Sequence, residues 1–314
     1  MSRNIGFVVL VGMAVGGATL ARALPITVDP TANWSLEGAL RPSFSPMDLG
    51  GRVNWTGFYV GVNVGGIWDA EPTANFVGVP IATAPNPTMG VLLNGQAAGE
   101  SGGFLGGAQI GYDFQWPFGL VTGVEADFQG ATLRSQATQA VGAVQDALYP
   151  STTDAGSLTA SKRLDYLGTV RLRVGYQIIP NVLTYATGGF AYGQTSFNSN
   201  AALARYNFVG SPIDGSAAVA NYASNRVGYA FGGGVEFPLF ANLTARIEYL
   251  YYNLGTGSAQ TPFIQTVGNT PNSFGEHWAL KTASQFSGSI ARVGVNYRFN
   301  PDIPTLAMPV VAKY

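Results

Sequence analysis

Charge is scarce in this chain of 314 residues: Asp, Glu, Lys and Arg together make up only 11%, less than half their usual share in a soluble domain. The 16 basic residues nearly cancel the 17 acidic ones, leaving a net charge of −1, so nothing electrostatic points to a nucleic-acid partner. Cysteine is absent, which excludes a disulfide framework, thiolate chemistry and any Cys-based zinc site. His277 is the only histidine, which excludes a multi-histidine metal centre. Beyond the N-terminus no apolar run is long enough for a spanning helix. Glycine, by contrast, is abundant, with 42 residues, and Phe, Tyr and Trp make up 12%. The mean hydropathy is +0.16. A weakly charged, glycine- and aromatic-rich chain without a helical span fits a membrane protein built from strands.

The N-terminus reads as an export signal. Arg3 precedes an apolar run from Ile5 to Leu20, and Ala21-Arg22-Ala23 supplies a small-x-small cleavage site, the order of a secretory signal peptide. Residues 1–23 are therefore assigned to the signal. Residues 24–53 carry Pro25, Pro30, Pro42 and Pro46 with no sustained period, and are expected to form an irregular periplasmic segment.

From Trp55 the pattern changes to a period of two, the signature of strands with two different faces. Phe58, Val60, Val62 and Val64 share one phase, while Tyr59, Gly61, Asn63 and Gly65 share the other. The same split recurs in Phe104–Trp116, Leu120–Gln129, Tyr166–Ile178, Gly228–Phe237, Leu243–Tyr251 and Ala291–Phe299. Asn181–Gly193 completes the set, although its polar phase is indistinct. Eight strands of membrane-spanning length are expected. Backbone groups in hydrocarbon must all be paired, so such strands have to close on themselves. The fold class is all-β: a closed antiparallel transmembrane barrel over residues 54–300, with a tail at 301–314.

Short and long connections alternate. Three short ones carry proline, at Pro117, Pro180 and Pro238, and four long ones fall at about 69–103, 130–163, 194–225 and 253–287. Bacterial outer-membrane barrels alternate short periplasmic turns with long external loops in this way. An even strand number then puts both termini in the periplasm. With that orientation Phe58, Phe114, Trp116, Tyr176, Phe237, Tyr297 and Phe299 fall at the periplasmic ends. Phe104, Tyr166, Tyr229, Tyr249 and Tyr251 fall at the outer ends. Two aromatic belts follow from alternation alone.

Several motifs in order carry a resemblance. They include Asn54-Trp55-Thr56-Gly57-Phe58-Tyr59-Val60-Gly61, Gly106-Gly107-Ala108-Gln109-Ile110-Gly111-Tyr112 and Gly168-Thr169-Val170-Arg171. They continue with Tyr185-Ala186-Thr187-Gly188-Gly189-Phe190, Arg246-Ile247-Glu248-Tyr249 and Val293-Gly294-Val295-Asn296-Tyr297-Arg298-Phe299. These segments resemble the small porin-family outer-membrane proteins of alpha-proteobacteria, which have an OmpA-type β-barrel domain. The resemblance implies an eight-stranded, surface-exposed barrel but no particular chemistry. Such proteins usually end at an aromatic residue, whereas here residues 300–314 follow Phe299. Either the assembly signal is read internally, or Val310, Val311 and Tyr314 contribute to it.

The inward phases hold five acids, Asp113, Glu125, Asp127, Glu236 and Glu248, and five arginines, Arg171, Arg173, Arg246, Arg292 and Arg298. An eight-stranded barrel has an interior just wide enough to be filled by side chains, and buried charges there must be paired. A salt-bridged plug is one reading and a narrow ion path the other. Catalysis is not expected. Glu125 and Asp127 share one wall facing arginines, and Ser273, Glu276 and His277 lie in a glycine-rich loop that would hold a triad loosely. No catalytic, metal or cofactor site is assigned. The expected role is a non-enzymatic outer-membrane barrel that contributes to envelope integrity and presents loops outside. The alternatives are a low-conductance porin for small hydrophilic solutes and a surface adhesin. Expected partners are outer-membrane lipids, lipopolysaccharide and, during insertion, the barrel-assembly machinery.

Overall fold

A computed structural model describes residues 53–81, 87–179, 181–240, 242–268 and 277–299. The signal segment 1–23, residues 24–52 of the following segment and the tail 301–314 lie outside the described residues. Along the chain come β1 (Gly57–Asp69), β2 (Thr73–Pro80), the short α1 (Pro87–Leu92), β3 (Gly95–Gln115), β4 (Leu120–Gln145) and β5 (Thr153–Ile179). Then follow β6 (Val182–Tyr206), β7 (Pro212–Pro238), β8 (Leu243–Pro262), β9 (Ile264–Val267) and β10 (Trp278–Phe299).

Eight of these strands close a ring. β3 to β8 pair antiparallel in sequence order, β8 pairs β10, and β1 pairs both β10 and β3. The seam is long, running from Phe58↔Phe299 to Asp69↔Gly288. β2 stands beyond β1 in the same column, pairing β10 on one side and β3 on the other. The interruption between them is bridged, because Ala70 N donates to Ser287 O (2.9 Å) and Gly99 N donates to Pro72 O (2.9 Å). The ring is thus continuous in the half nearer the turns; further out the β7–β8 ladder stops at Tyr229↔Asn253, and Gly215–Ala217 of β7 pair again with β9.

At one end, called the turn end, the connections are tight. Trp116 N donates to Leu120 O (2.7 Å), and Gly119 takes a φ of 91°, a left-handed conformation that favours glycine. Asn181, with φ 64°, reverses the chain between β5 and β6.

At the opposite end the strands run further than alternation indicated. The β4–β5 ladder reaches Gln145↔Thr153 and the β6–β7 ladder reaches Arg205↔Asp214. Most of 130–163 and 194–225 is therefore strand, and only 146–152 and 207–211 remain as connections there. The physical reason is low contrast. These stretches set leucine and alanine against serine, threonine and asparagine, rather than aromatics against charges. Even so, Leu133, Leu158, Leu164, Phe197 and Leu203 all turn into one buried core. The extension forms a far lobe. Leu92 and Leu93, at and just after the end of α1, pack into its core.

The outward face of the half nearer the turns is apolar. Val60, Val62, Val64, Ile110, Val124, Val170, Leu172, Val174, Val293 and Val295 are all exposed. Aromatic girdles bound this band. Phe58–Tyr112, Phe114–Trp116 and Tyr297–Phe299 ring pairs lie near the turns, and Phe128–Tyr166 and Tyr229–Phe231 pairs lie beyond the band. Tyr176 and Tyr166 are separated by about ten residues, the length a tilted strand needs to cross a membrane.

Leu172, 66% exposed on the outward face of β5, sits mid-band between inward Arg171 and Arg173. Leu172→Arg should destabilise the barrel by about 2–4 kcal/mol, as a cation on a lipid-facing wall near the midplane does. Urea titration of refolded protein in bilayers, read by the shift in migration between unboiled and boiled samples, checks this. A silent substitution would mean that the faces have been assigned the wrong way round.

Candidate functional site in the barrel interior

Inward positions repeat every second residue, so each strand contributes a column of side chains to the lumen. Charge enters wherever one of these columns carries Asp, Glu or Arg. All ten of Asp113, Glu125, Asp127, Arg171, Arg173, Glu236, Arg246, Glu248, Arg292 and Arg298 are buried. They form two linked layers in the half nearer the turns.

The layer closest to the turns holds two acids and two arginines. Arg298 Nη2 lies 2.7 Å from Asp113 Oδ2 and 3.1 Å from Glu236 Oε1. Arg173 bonds Glu236 and lies 3.7 Å from Asp113. Thr244 Oγ1 donates to Glu236 Oε1 at 2.6 Å, and Asn296 Nδ2 donates to the same oxygen at 3.1 Å.

The second layer holds three acids and three arginines. Arg171 touches all three acids: Glu125 Oε1 at 2.6 Å, Asp127 Oδ2 at 2.8 Å and Glu248 Oε1 at 3.2 Å. Arg292 donates through Nε to Glu248 Oε2 (2.6 Å) and through Nη2 to Asp127 Oδ2 (2.9 Å). Arg246 bonds Glu125. Each layer is neutral by itself, which is what isolated charges taken out of water require.

The polar residues that complete the network were not singled out in the sequence. Tyr59 OH donates to Glu125 Oε2 (2.6 Å), Tyr185 OH to Glu248 Oε1 (3.1 Å) and Thr169 Oγ1 to Asp127 Oδ1 (2.9 Å). Arg173 also stacks its guanidinium 3.7 Å from the centre of the Tyr185 ring. Their signal was position: each lies in an inward phase. Tyr185 was the hardest to place, because β6 supplies mostly Gly, Ala and Thr around it.

Both ends of this network are shut. Towards the turns, Trp55 packs with Val121, Leu183 and Tyr185. Trp55 N donates to Gln115 Oε1 (2.9 Å), and Trp55 O accepts from Arg298 Nη1 (2.9 Å). Beside the charged layers, on the β10–β1–β3 side of the lumen, Asn63, Gln109 and Asn296 form an amide cluster, with Gln109 Nε2 donating to Asn296 Oδ1 (2.7 Å). On the side away from the turns the network is shut by the apolar core of the far lobe, which begins with Ile67, Leu105, Leu250, Tyr252 and Ile290. Packing is tight enough that a Cβ at Gly111 would come 2.4 Å from the Tyr59 hydroxyl.

Within the far lobe two further ion pairs are buried. Lys162 Nζ lies 2.6 Å from Asp69 Oδ2 and donates to Glu71 O and Gln285 O (2.7 Å each), clamping the break between β1 and β2. Near the tip, Arg205 Nε lies 2.9 Å from Asp154 Oδ1 and also bonds Asp146. Burial, reinforced by the second carboxylate of Asp146, outweighs Arg205 and pushes Asp154 up to about 6. Among the described residues no group of three His, Cys, Asp or Glu side chains is placed to hold a metal ion. His277 is described, but Ser273 and Glu276 lie outside the described residues.

A closed antiparallel ring with a lipid-compatible outer band and a polar interior defines an integral β-barrel membrane protein. The family model for the outer membrane protein beta-barrel domain matches residues 43–299, and the chain belongs to that family, which places it in the outer membrane. It is 28% identical to the 31 kDa outer-membrane immunogenic protein of Brucella melitensis biotype 1, over 93% of this chain and 99% of that protein. It is 25% identical to the 25 kDa outer-membrane immunogenic protein of Brucella canis, over 67% and 70% of the two chains. The outer membrane protein OprG from Pseudomonas aeruginosa aligns over 79% of this chain and 98% of its own, with a TM-score of 0.40 and 10% identity.

Arg171→Ala should destabilise the barrel by about 3–5 kcal/mol, because it strands Glu125, Asp127 and Glu248 with too little positive charge. Reversible unfolding in detergent measures it, and a loss below about 1 kcal/mol would show that the layer is not held by charge pairing. A pH dependence is expected at the tip. Asp154 binds its proton more tightly folded than unfolded, so the tip gains stability as pH falls through about 6 towards the ordinary carboxylate range. Opening of residues 146–152 should be up to about tenfold rarer at pH 5 than at pH 7, read by hydrogen exchange corrected for intrinsic rates. The opposite trend would contradict the assignment.

Proposed function

We propose that this protein is a non-enzymatic structural barrel of the outer membrane that holds a folded lobe outside the cell and conducts no solutes. Its termini lie in the periplasm. The observation that carries this reading is the filled lumen. Charge-paired layers and an amide cluster beside them occupy the membrane half, and an apolar core continues through the far lobe. A selective pore needs a hydrated path with an excess of one sign at its constriction, and the layers here are neutral. Each of the five acids in the membrane half is engaged by arginine, which disfavours a free general base there. The description of the Brucella relatives as immunogenic fits a lobe that stands outside the cell.

Purified protein in planar bilayers should give no stable single-channel conductance. Arg171→Ala combined with Arg173→Ala should weaken the fold yet still give no sustained current, because the apolar core of the far lobe is untouched. Steady wild-type channels would overturn the closed-barrel reading and favour a porin.

A further inference from the structure

The outward wall changes character immediately beyond the far aromatic girdle. Between the girdles, the described outward positions carry no charged side chain. Two residues past Phe104 on β3, Gly102 pairs with Arg134 of β4, and Arg134 pairs directly with Arg163 of β5. The residues flanking each arginine, Leu133 and Ser135 on β4 and Lys162 and Leu164 on β5, turn inward. Both guanidinium groups therefore stand on the outer face, side by side. Like charges directly opposite across a strand pair repel, and a single carboxylate offsets only one of the two. Asp165 engages Arg163 at 2.7 Å, and Arg134 has no ion-pair partner among the described residues.

One row further out, the same wall presents Gln136, Ser161, Asn198 and Asn221 in continuous register, with Glu100 opposite Gln136. The arginines and this polar row line a single concavity of about 730 Å³. Below it, on the membrane side, lie the exposed rings of Phe104 and Phe128, with Tyr166 packed on Phe128. From the membrane outward, the order is apolar rings, paired guanidinium groups, then amides and hydroxyls.

We propose that this concavity binds the headgroup of a phosphorylated glycolipid of the outer leaflet. The phosphate sits between Arg134 and Arg163, where planar guanidinium forks suit it. Sugar hydroxyls meet Gln136, Ser161, Asn198 and Asn221, and the acyl chains lie along Phe104 and Phe128. A free phosphate would use only the first of these three contacts. The proposal rests on the orientation given above, with the far lobe outside.

The test uses refolded full-length barrel in detergent micelles and an acylated, bis-phosphorylated glucosamine disaccharide as probe, with binding read by native mass spectrometry. Wild-type protein should bind this probe at least tenfold more tightly than the chemically dephosphorylated form, a comparison that needs no variant. Arg134→Gln with Arg163→Gln should lose that discrimination, whereas Lys281→Gln, at an exposed lysine on another part of the wall, should keep it. Inorganic phosphate at millimolar concentration should not displace the probe. Equal binding of phosphorylated and dephosphorylated probe, or unchanged discrimination in the double variant, would overturn the proposal. Displacement by inorganic phosphate would reduce the site to an anion site without lipid specificity and overturn it equally. Orientation is tested separately, by labelling Val209→Cys with an impermeant maleimide on intact cells. Failure there refutes the outward placement of the lobe and leaves the micelle result to be judged by itself.

Discussion

Hydrocarbon offers no partner for a backbone N–H or C=O, and that constraint shapes the whole molecule. A sheet that crosses a membrane has to end where it began. Here the closure is made by β1, the first strand of the ring, against β10, the last, over a seam from Phe58↔Phe299 to Asp69↔Gly288. Where β1 stops, β2 takes over its column, and the Lys162–Asp69 clamp sits at the change. Closure fixes the number of strands, and the number of strands fixes the lumen. Eight strands leave space that side chains can fill and little else.

What fills that space differs between the halves, for one physical reason. In the membrane half the outward phase is committed to lipid, so the inward phase carries what polarity the strands possess. Arginines and carboxylates can occupy it because each layer is neutral and supplied with hydroxyl and amide partners. The far lobe has water outside instead. Its outward phase is mainly polar and its inward phase mainly apolar, as in a soluble β-barrel. The inside-out and the ordinary arrangement thus follow one another along the same strands, the change falling between the second charged layer and Ile67, Leu105 and Ile290.

The membrane half was legible because its two faces differ strongly. Valine and phenylalanine against arginine and glutamate leave no doubt about phase, and the ten interior charges could be named from alternation alone. The far lobe was not legible, because there the contrast is between leucine or alanine and serine, threonine or asparagine, which reads equally well as loop. Ladders such as Ser199↔Ala220 become visible only when the partner strand is present. The contribution of Trp55 as a cover over Arg298 was hidden for a different reason. It precedes the first strand, where no period marks which way a side chain turns.

The interior charges also act before the barrel exists. A chain bound for the outer membrane first has to cross the inner one without being retained as a helix. Each Arg, Lys or Asp near the centre of a candidate span opposes helical insertion by about 2.5–3.5 kcal/mol. β5 places Arg171 and Arg173 among Val170, Leu172 and Val174, and β4 places Glu125 and Asp127 among Val124, Ala126 and Phe128. Read as a helix, each stretch would carry two charges into the bilayer core. Read as a strand, the same charges all point one way, into a lumen where opposite charges meet them. Alternation with period two is therefore what lets these residues be excluded by one membrane and tolerated inside another. It also explains why the charges are arginines and carboxylates in equal number rather than neutral polar side chains. Neutral groups would weaken the barrier to helical insertion, and an excess of either sign would leave the closed lumen with a charge it could not pair.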